Sequence, residues 1–142
     1  MRRVVPVAQQ QVVDDVSLLI YSLEFYETGF VAVVRLSWIG DHGGLPSIRW
    51  TAQDDRGTTF PYADMAGSGG GRHPDRFSWR IGCMFGAPVP EAATRLDLTA
   101  TAVGFLTFAG QDDGGRPRVE RSQTIAGPWH FTIPLPTSQT GE

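Results

Sequence analysis

Three histidines and several loop aspartates are the residues best able to do chemistry in this chain. A zinc ion needs about four nitrogen or sulfur ligands, or three and a water molecule. His42 and His73 lie in predicted loops that Asp41, Asp64 and Asp75 could join, but no close pair of the form His-x-x-x-His occurs. Exposed loop histidines are the better interpretation, so we predict no metal site and no cofactor.

Two aspartate-rich segments look superficially like calcium loops. They are Asp112-Asp113-Gly114-Gly115 and Asp54-Asp55-Arg56-Gly57. Calcium takes six to eight oxygen ligands, and neither segment has the regular spacing with a distal glutamate that supplies them. Aspartate and glycine are also favoured in turns, because aspartate bonds to nearby backbone and glycine permits positive φ. We predict plain turns, with calcium held by a cluster of loop carboxylates as the alternative.

A glycine-rich run and the single cysteine each have a chemical interpretation that the sequence disfavours. The run at 67–72, Gly-Ser-Gly-Gly-Gly-Arg, lacks the lysine and the following helix of a phosphate-binding loop. Cys83 alternates with Ile81 and Phe85 on an apolar register, where a buried and inert thiol is expected. No serine lies in a nucleophile elbow. We therefore predict a flexible loop at the glycines and no catalytic residue.

Composition narrows the class of protein. The 142 residues are 41% hydrophobic and 19% charged, which fits one domain with a sizeable core. A net charge of −3 argues against a nucleic-acid partner. The twelve positive residues are all arginine, and lysine and asparagine are absent, which indicates a GC-rich genome. A lone cysteine forms no intramolecular disulfide and fits a reducing compartment.

The N-terminal sequence bears on location. Two arginines open the chain, but Gln9, Gln10 and Gln11 interrupt the apolar stretch that a signal peptide needs. No run approaches the roughly 20 apolar residues of a membrane span. We predict a cytoplasmic protein without membrane insertion, and an ectodomain excised from a longer chain is the alternative.

The dominant period of the sequence is two, which is the period of a β-strand. All four tryptophans fall on the apolar register of such runs, which predicts that they point into a core. Glu27-Thr28-Gly29 and the turn at 54–57 predict hairpins, and one helical turn is expected near 90–93. The two longest loops are predicted at 63–74 and 109–126. The predicted strands cover residues 3–8, 16–26, 29–38, 47–53, 58–62, 75–85, 94–108 and 127–135.

These elements predict an all-β, two-sheet antiparallel Greek-key sandwich of about eight strands. It forms a single domain over residues 1–142, with an ordered core of about 3–136 and a short polar tail. The strand ending in Trp38, the turn at 54–58 and the closing segment at 127–131, Gly-Pro-Trp-His-Phe, resemble immunoglobulin-like sandwich domains from GC-rich bacterial genomes. The resemblance is one of layout over about residues 12–135. Cys83 has no partner for the disulfide of antibody domains.

Strand direction predicts which loops share an end of the sandwich. Because consecutive antiparallel strands alternate, segments 9–15, 39–46, 63–74 and 109–126 meet at one end, and shorter turns at 27–28, 54–57 and 86–93 meet at the other. Binding residues of sandwiches concentrate in long loops. The candidate binding residues at the long-loop end are Gln11, Asp14, Asp41, His42, Arg72, His73, Asp112, Asp113 and Arg116.

The function predicted from these features is a non-enzymatic protein-interaction or assembly module. It would bind a protein partner, or a second copy of itself, through the long-loop end or a sheet edge. One alternative is a structural subunit of a larger viral or secretion-type assembly, which predicts self-association. Another is a small-ligand-binding or hydrolytic β-domain, which predicts a pocket with convergent polar groups beside His73 or His130.

Overall fold

Eight β-strands make up nearly all of the computed structural model, which describes residues 3–39, 45–73 and 76–136. No helix occurs in these ranges. Asp41, His42 and the polar tail lie outside them. The strands are β1 (Arg3–Val13), β2 (Val16–Phe25), β3 (Phe30–Ile39), β4 (Leu45–Asp54), β5 (Tyr62–His73), β6 (Arg76–Phe85), β7 (Arg95–Gln111) and β8 (Pro117–Pro134).

The strands form two antiparallel sheets. The five-stranded sheet has the order β1-β2-β3-β6-β5, and the three-stranded sheet has the order β4-β7-β8. Side chains alternate between faces with the period of two that the sequence predicted; β4, for example, is alternately exposed and buried along its whole length. The predicted all-β sandwich of two antiparallel sheets is confirmed.

The core between the sheets is built from the predicted apolar register. Trp38, Trp50 and Trp129 are buried, and Trp79 is partly buried against the same core. Aromatic rings pack closely within it: Phe30 stacks on Phe85 with centroids 4.6 Å apart, and Trp38 meets Phe105 edge to face at 4.8 Å. Such pairs add to the stabilisation from buried area alone.

Two indole groups bond across the core from one sheet to the other. Trp129 Nε1 in β8 donates to the carbonyl oxygen of Val16 in β2 at 3.0 Å. Trp50 Nε1 in β4 donates to Cys83 Sγ in β6 at 3.2 Å. Each bond satisfies a buried donor that would otherwise carry a desolvation cost.

The predicted strand at 58–62 and the predicted loop at 63–74 are both wrong. An isolated bridge joins Gln53 to Thr59, and the strand that follows is β5, which includes the glycine run and pairs with β6 throughout. The reason is steric as well as topological. A Cβ on Gly67 would lie 3.2 Å from Ile81 Cγ1 and 3.6 Å from Trp79 Cε3, so the large side chains of β6 favour a bare neighbour.

The long loop predicted at 109–126 is also wrong. β7 and β8 pair with each other as far as Gln111 and Pro117, whereas β4 pairs with β7 only from Leu106 inward. The hairpin therefore continues past Leu45, the first described residue of β4. We call residues 107–121 the arm. Its two strands bond to each other through their backbone groups.

The connections share the two ends of the sandwich as predicted. The end that was predicted to carry the long loops instead carries short turns, and the longer connections lie at the other end. One end, here the arm end, carries the short turns at 14–15 and 112–116 together with the arm. The other end, here the loop end, carries the connections 26–29, 55–61 and 86–94. Within the last of these, Ala93 N donates to the Pro90 carbonyl at 3.0 Å, which forms the expected single turn.

Gly29 provides a test of the β2–β3 hairpin. A Cβ at this position would collide with the carbonyl of Phe85, so Gly29→Ala should disturb the pairing of Phe30 with Phe85. We expect a loss of about 2–3 kcal/mol in the free energy of unfolding, measured by urea denaturation. Gly86→Ala is the control, because the nearest atom to its added Cβ would be Ala63 Cβ at 3.9 Å. Equal losses in both variants would contradict the close contact between Gly29 and the Phe85 carbonyl.

Candidate functional site

The described binding candidates lie at the arm end, as their positions along the strands require. Gln11 lies near the end of β1, and Asp14 lies in the β1–β2 turn. Arg72 and His73 belong to the last residues of β5 rather than to a loop, and their side chains lie outside the described set. Asp112, Asp113 and Arg116 form the turn at the tip of the arm.

The carboxylate of Asp112 is bonded to the backbone of its own turn. Its Oδ1 accepts from the backbone N–H groups of Gly114 and Arg116, both at 2.9 Å, and Gly115 has a φ of 78°. Asp54 does the same at the loop end, where Oδ1 accepts from Arg56 at 2.9 Å and Thr58 at 2.8 Å. Both segments are therefore hairpin turns of one design. Within the described residues, no group of three or more histidine, cysteine or acidic side chains is placed to hold a metal ion.

Exposed apolar side chains gather at the arm end. Val12, Ile39, Leu45 and Val119 are each about half exposed or more, and each lies near the arm-end terminus of its strand. Surface hydrophobic residues that occur together indicate an interaction site more often than scattered ones do.

A small pocket of about 200 Å³ lies between the exposed apolar side chains of Val12 and Ile39. The acidic side chains of Asp14 and Asp15 line its rim, and Gln10 and Ser17, also in its lining, are joined by a hydrogen bond of 2.6 Å. We call it the acidic pocket. Its chemistry fits an apolar side chain that is flanked by positive charge.

A larger groove of about 700 Å³ lies on the outer face of the three-stranded sheet, towards the loop end. Its floor comes from β4, β7 and β8, and its wall from the segment Thr59–Tyr62 that follows the Asp54 turn. Polar side chains dominate the floor. They are Thr51, Gln53, Arg95, Asp97, Thr99, His130 and Thr132.

His130 lies at the centre of this floor between two hydroxyl groups. Its Nδ1 is 2.7 Å from Thr99 Oγ1, and its Nε2 is 3.3 Å from Thr132 Oγ1. A catalytic histidine is oriented by a carboxylate on one nitrogen and faces a nucleophile with the other. The arrangement at His130 instead fixes the ring as part of a hydrogen-bonding surface.

The Asp55 carboxylate anchors the start of β7 at the loop-end margin of the groove. Asp55 accepts from Thr94 Oγ1 at 2.7 Å and from Thr94 N at 2.9 Å, with a longer bond from Arg95 N at 3.4 Å. These bonds stabilise the ionised form and lower the pKa of Asp55 to about 2. Arg95 Nε in turn lies 3.2 Å from Asp97 Oδ2.

The thiol of Cys83 is buried, as its register predicted. Burial raises the pKa of Cys83 to about 12, against the opposing effect of the hydrogen bond from Trp50. Burial beside this thiol also raises the pKa of Tyr62. A thiol that stays protonated is a poor nucleophile, so Cys83 acts as a core residue and as an acceptor for Trp50.

The residues of the groove were missed by the sequence analysis, except that His130 was named beside a possible pocket. Their only signal is a polar residue at every second position of three strands, and any solvated sheet face has that signal. The pairing register brings them together, because Thr51 pairs with Thr99 and Thr99 pairs with His130.

Comparison with known proteins gives one likeness in fold. No protein-family model matches the chain, and no curated protein matches it. A solved structure described as the crystal structure of the conserved domain protein from Bacillus anthracis is similar, with a TM-score of 0.60 and 14% sequence identity. The match covers 94% of this chain and 49% of that protein, so the chain spans about half of its length. Identity at this level supports the fold alone. The described residues include no helix with the length and apolar character that crossing a membrane requires.

Asp55 makes the loop end sensitive to acid. Its pKa is lowered on folding, from about 3.8 to about 2, so the stability it contributes is present above about pH 4 and is lost as pH falls towards 2. Asp55→Asn should remove this part of the pH dependence, measured as the free energy of unfolding between pH 2 and pH 5. Asp113→Asn, the matching position of the arm turn, is the control. An unchanged pH profile in Asp55→Asn would contradict the role of these bonds.

Proposed function

We propose that this chain is a non-enzymatic assembly module with immunoglobulin-like topology, which binds a second copy of itself through the arm end. The observation that carries the proposal is the complementarity between two surfaces at that end, the arm segment 116–119 with its two arginines and a valine, and the acidic pocket.

The strand order supports the immunoglobulin-like part of the proposal. Without β1, the remaining seven strands have the order β2-β3-β6-β5 in one sheet and β4-β7-β8 in the other. Numbered afresh, these are the first, second, fifth and fourth strands opposite the third, sixth and seventh, which is the order of constant-type immunoglobulin domains. β1 is then an added N-terminal strand that pairs with the first of the seven.

The position of Trp50 supports the same topology. Constant-type domains carry a buried tryptophan on the third strand, against a disulfide between the sheets. In the renumbered order Trp50 lies on the third strand and is buried, and its indole bonds to Cys83 on the opposite sheet. Here a hydrogen bond between the third and fifth strands of the renumbered order joins the two sheets, whereas antibody domains have a disulfide between the second and sixth.

The chemistry of the described nucleophiles and bases supports a non-enzymatic role. Cys83 is buried and protonated, and His130 has a threonine hydroxyl at each ring nitrogen. Nucleophilic catalysis needs an activated nucleophile and a base that a third group orients. The described residues instead offer surfaces for binding.

The arm carries a segment whose chemistry matches the acidic pocket. Arg116 in the tip turn and the first residues of β8, Pro117, Arg118 and Val119, are all exposed. Val119 follows Arg118 and precedes Glu120, so within 116–119 an apolar side chain is preceded by two arginines. A pocket lined by apolar residues and two aspartates would hold such a segment. Opposite charges across an interface favour the correct partner and speed the encounter.

A pair of chains related by a two-fold axis would satisfy both surfaces at once. In such an interface the same patch is used by both copies, so each arm reaches the acidic pocket of the other. The projection of the arm beyond β4 gives it the reach to do so. Two equivalent contacts then form from one pair of complementary surfaces.

Charge reversal tests the proposal directly. Arg118→Glu and Asp15→Arg should each weaken self-association about ten-fold or more, because each places like charges at the contact. The double variant should regain much of the affinity, since the charges are then exchanged. Sedimentation equilibrium over a wide concentration range measures the dissociation constant of each protein. A monomer at all concentrations, or a double variant no better than the singles, would overturn self-assembly through these residues.

Two valines of one strand provide a matched control. Val12 is 61% exposed in the acidic pocket, and Val4 is 46% exposed at the other end of β1. Val12→Asp should weaken association, whereas Val4→Asp should leave it unchanged. Equal effects of the two substitutions would show that association does not involve the arm end.

A further inference from the structure

We infer that the groove on the outer face of the three-stranded sheet binds a neutral glycan. The site lies towards the loop end, and it is separate from the assembly surface proposed above. The inference rests on four features of the groove: its hydrogen-bonding floor, its internally cancelled charge, its apolar wall and its size.

The floor presents two ordered rows of polar side chains. Strand register aligns Thr51, Thr99 and His130 in one row across the three strands, and Gln53, Asp97 and Thr132 in the next. Side chains two residues apart on a strand face the same way, so the rows form one surface. Sites built on strands hold their groups in position more accurately than sites built on loops.

Apart from the carboxylate of Asp97, which only accepts, the groups of these rows are able both to donate and to accept hydrogen bonds. A threonine hydroxyl offers one donor and two acceptor positions, and a glutamine amide offers both kinds. The bonds of His130 to Thr99 and Thr132 fix the central groups but leave capacity on each hydroxyl. A ligand with many hydroxyl groups, each also a donor and an acceptor, matches such a surface.

The charges in the groove cancel each other. Arg95 and Asp97 form an ion pair of 3.2 Å, with the arginine side chain 50% exposed and the aspartate side chain 24% exposed. The pair therefore contributes no net charge that would favour a phosphate, a carboxylate or an amine. A ligand without charge therefore fits this groove better than an anion or a cation.

The wall supplies an apolar surface for the carbon side of a sugar ring. It is the segment 59–62, anchored to β4 by a bond of 3.0 Å from Phe60 N to the Ala52 carbonyl. Phe60 itself is buried in the core, so the exposed Pro61 and the half-buried Tyr62 supply the apolar surface. The ring of Tyr62 packs on Phe85 at 5.4 Å and is thereby fixed. Pyranose rings have one face of C–H groups that packs on such side chains, while their hydroxyls point to the polar floor.

The groove has the size of a ligand site and opens to solvent. Its volume of about 700 Å³ lies within the range of about 300–1,000 Å³ that is usual for small-molecule sites. An open groove suits an oligosaccharide, because chain ends on both sides can extend into water.

A titration followed by ¹H–¹⁵N correlation spectra tests the inference. The probes are cellohexaose, maltohexaose, mannohexaose and chitohexaose at millimolar concentration, with a sulfated heparin hexasaccharide as the charged comparison. We expect at least one neutral probe to shift the amide signals of Thr51, Thr99 and His130. Absence of shifts with every neutral probe, or shifts with the sulfated probe alone, would overturn the inference.

Matched variants locate the binding. His130→Ala and Gln53→Ala should each weaken the binding of that probe about ten-fold, since each removes hydrogen bonds made by the floor. Thr101→Ala is the control, because Thr101 is exposed on β7 but does not line the groove. Unchanged affinity in His130→Ala would place the ligand elsewhere. The same titration on Arg118→Glu should give unaltered binding, so failure of the assembly proposal and failure of this one are distinguishable.

Discussion

The two indole hydrogen bonds that cross the core set the relation between the sheets. Trp129 bonds to the backbone of β2, and Trp50 bonds to Cys83 in β6. Most contacts in the core are apolar and non-directional, so by themselves they tolerate small sliding of one sheet over the other. A buried N–H has a fixed direction and a cost if left unpaired, and it therefore specifies where each sheet must lie.

The outer surface follows from the same two residues. Because side chains alternate along a strand, Trp50 pointing inward turns Thr51 outward, and Trp129 pointing inward turns His130 outward. Cross-strand pairing then brings Thr51 and His130 to either side of Thr99. The floor of the groove is thus a consequence of how the tryptophans are buried, and a shift of one residue in either strand would replace its polar row with core residues.

The period-two alternation of apolar residues correctly predicted the strands that bury one face in the core. It did not predict the strands that lack such a face. The runs around Trp38, Trp50 and Trp129 alternate clearly, and the structure has strands there. β5 contains Ala66-Gly67-Ser68-Gly69, which has no alternation to detect, and it is a strand because β6 lies beside it. The described residues 110–119 at the end of the arm are all exposed, so the strands there exist through their mutual pairing. Such long-range partners are absent from any local window of sequence. The groove could not be predicted for the same reason, since it depends on register between three strands.

The edge strands of the sheets determine whether copies of the chain could associate into open chains or only into closed oligomers. An unpaired edge strand is a template for further pairing and leads to open chains of molecules. β1 lies along β8, where Gln9 Nε2 donates to the carbonyl of Thr132 at 3.0 Å, so those two edges shield each other. β5 is interrupted by register shifts between Tyr62 and Asp64 and between Gly69 and Gly71, and bulges of this kind obstruct an added strand. Edge pairing is thereby disfavoured on both sides of the larger sheet. The assembly proposed above would use side chains at the arm end instead, and because each copy offers both complementary surfaces, a two-fold arrangement would close it as a pair.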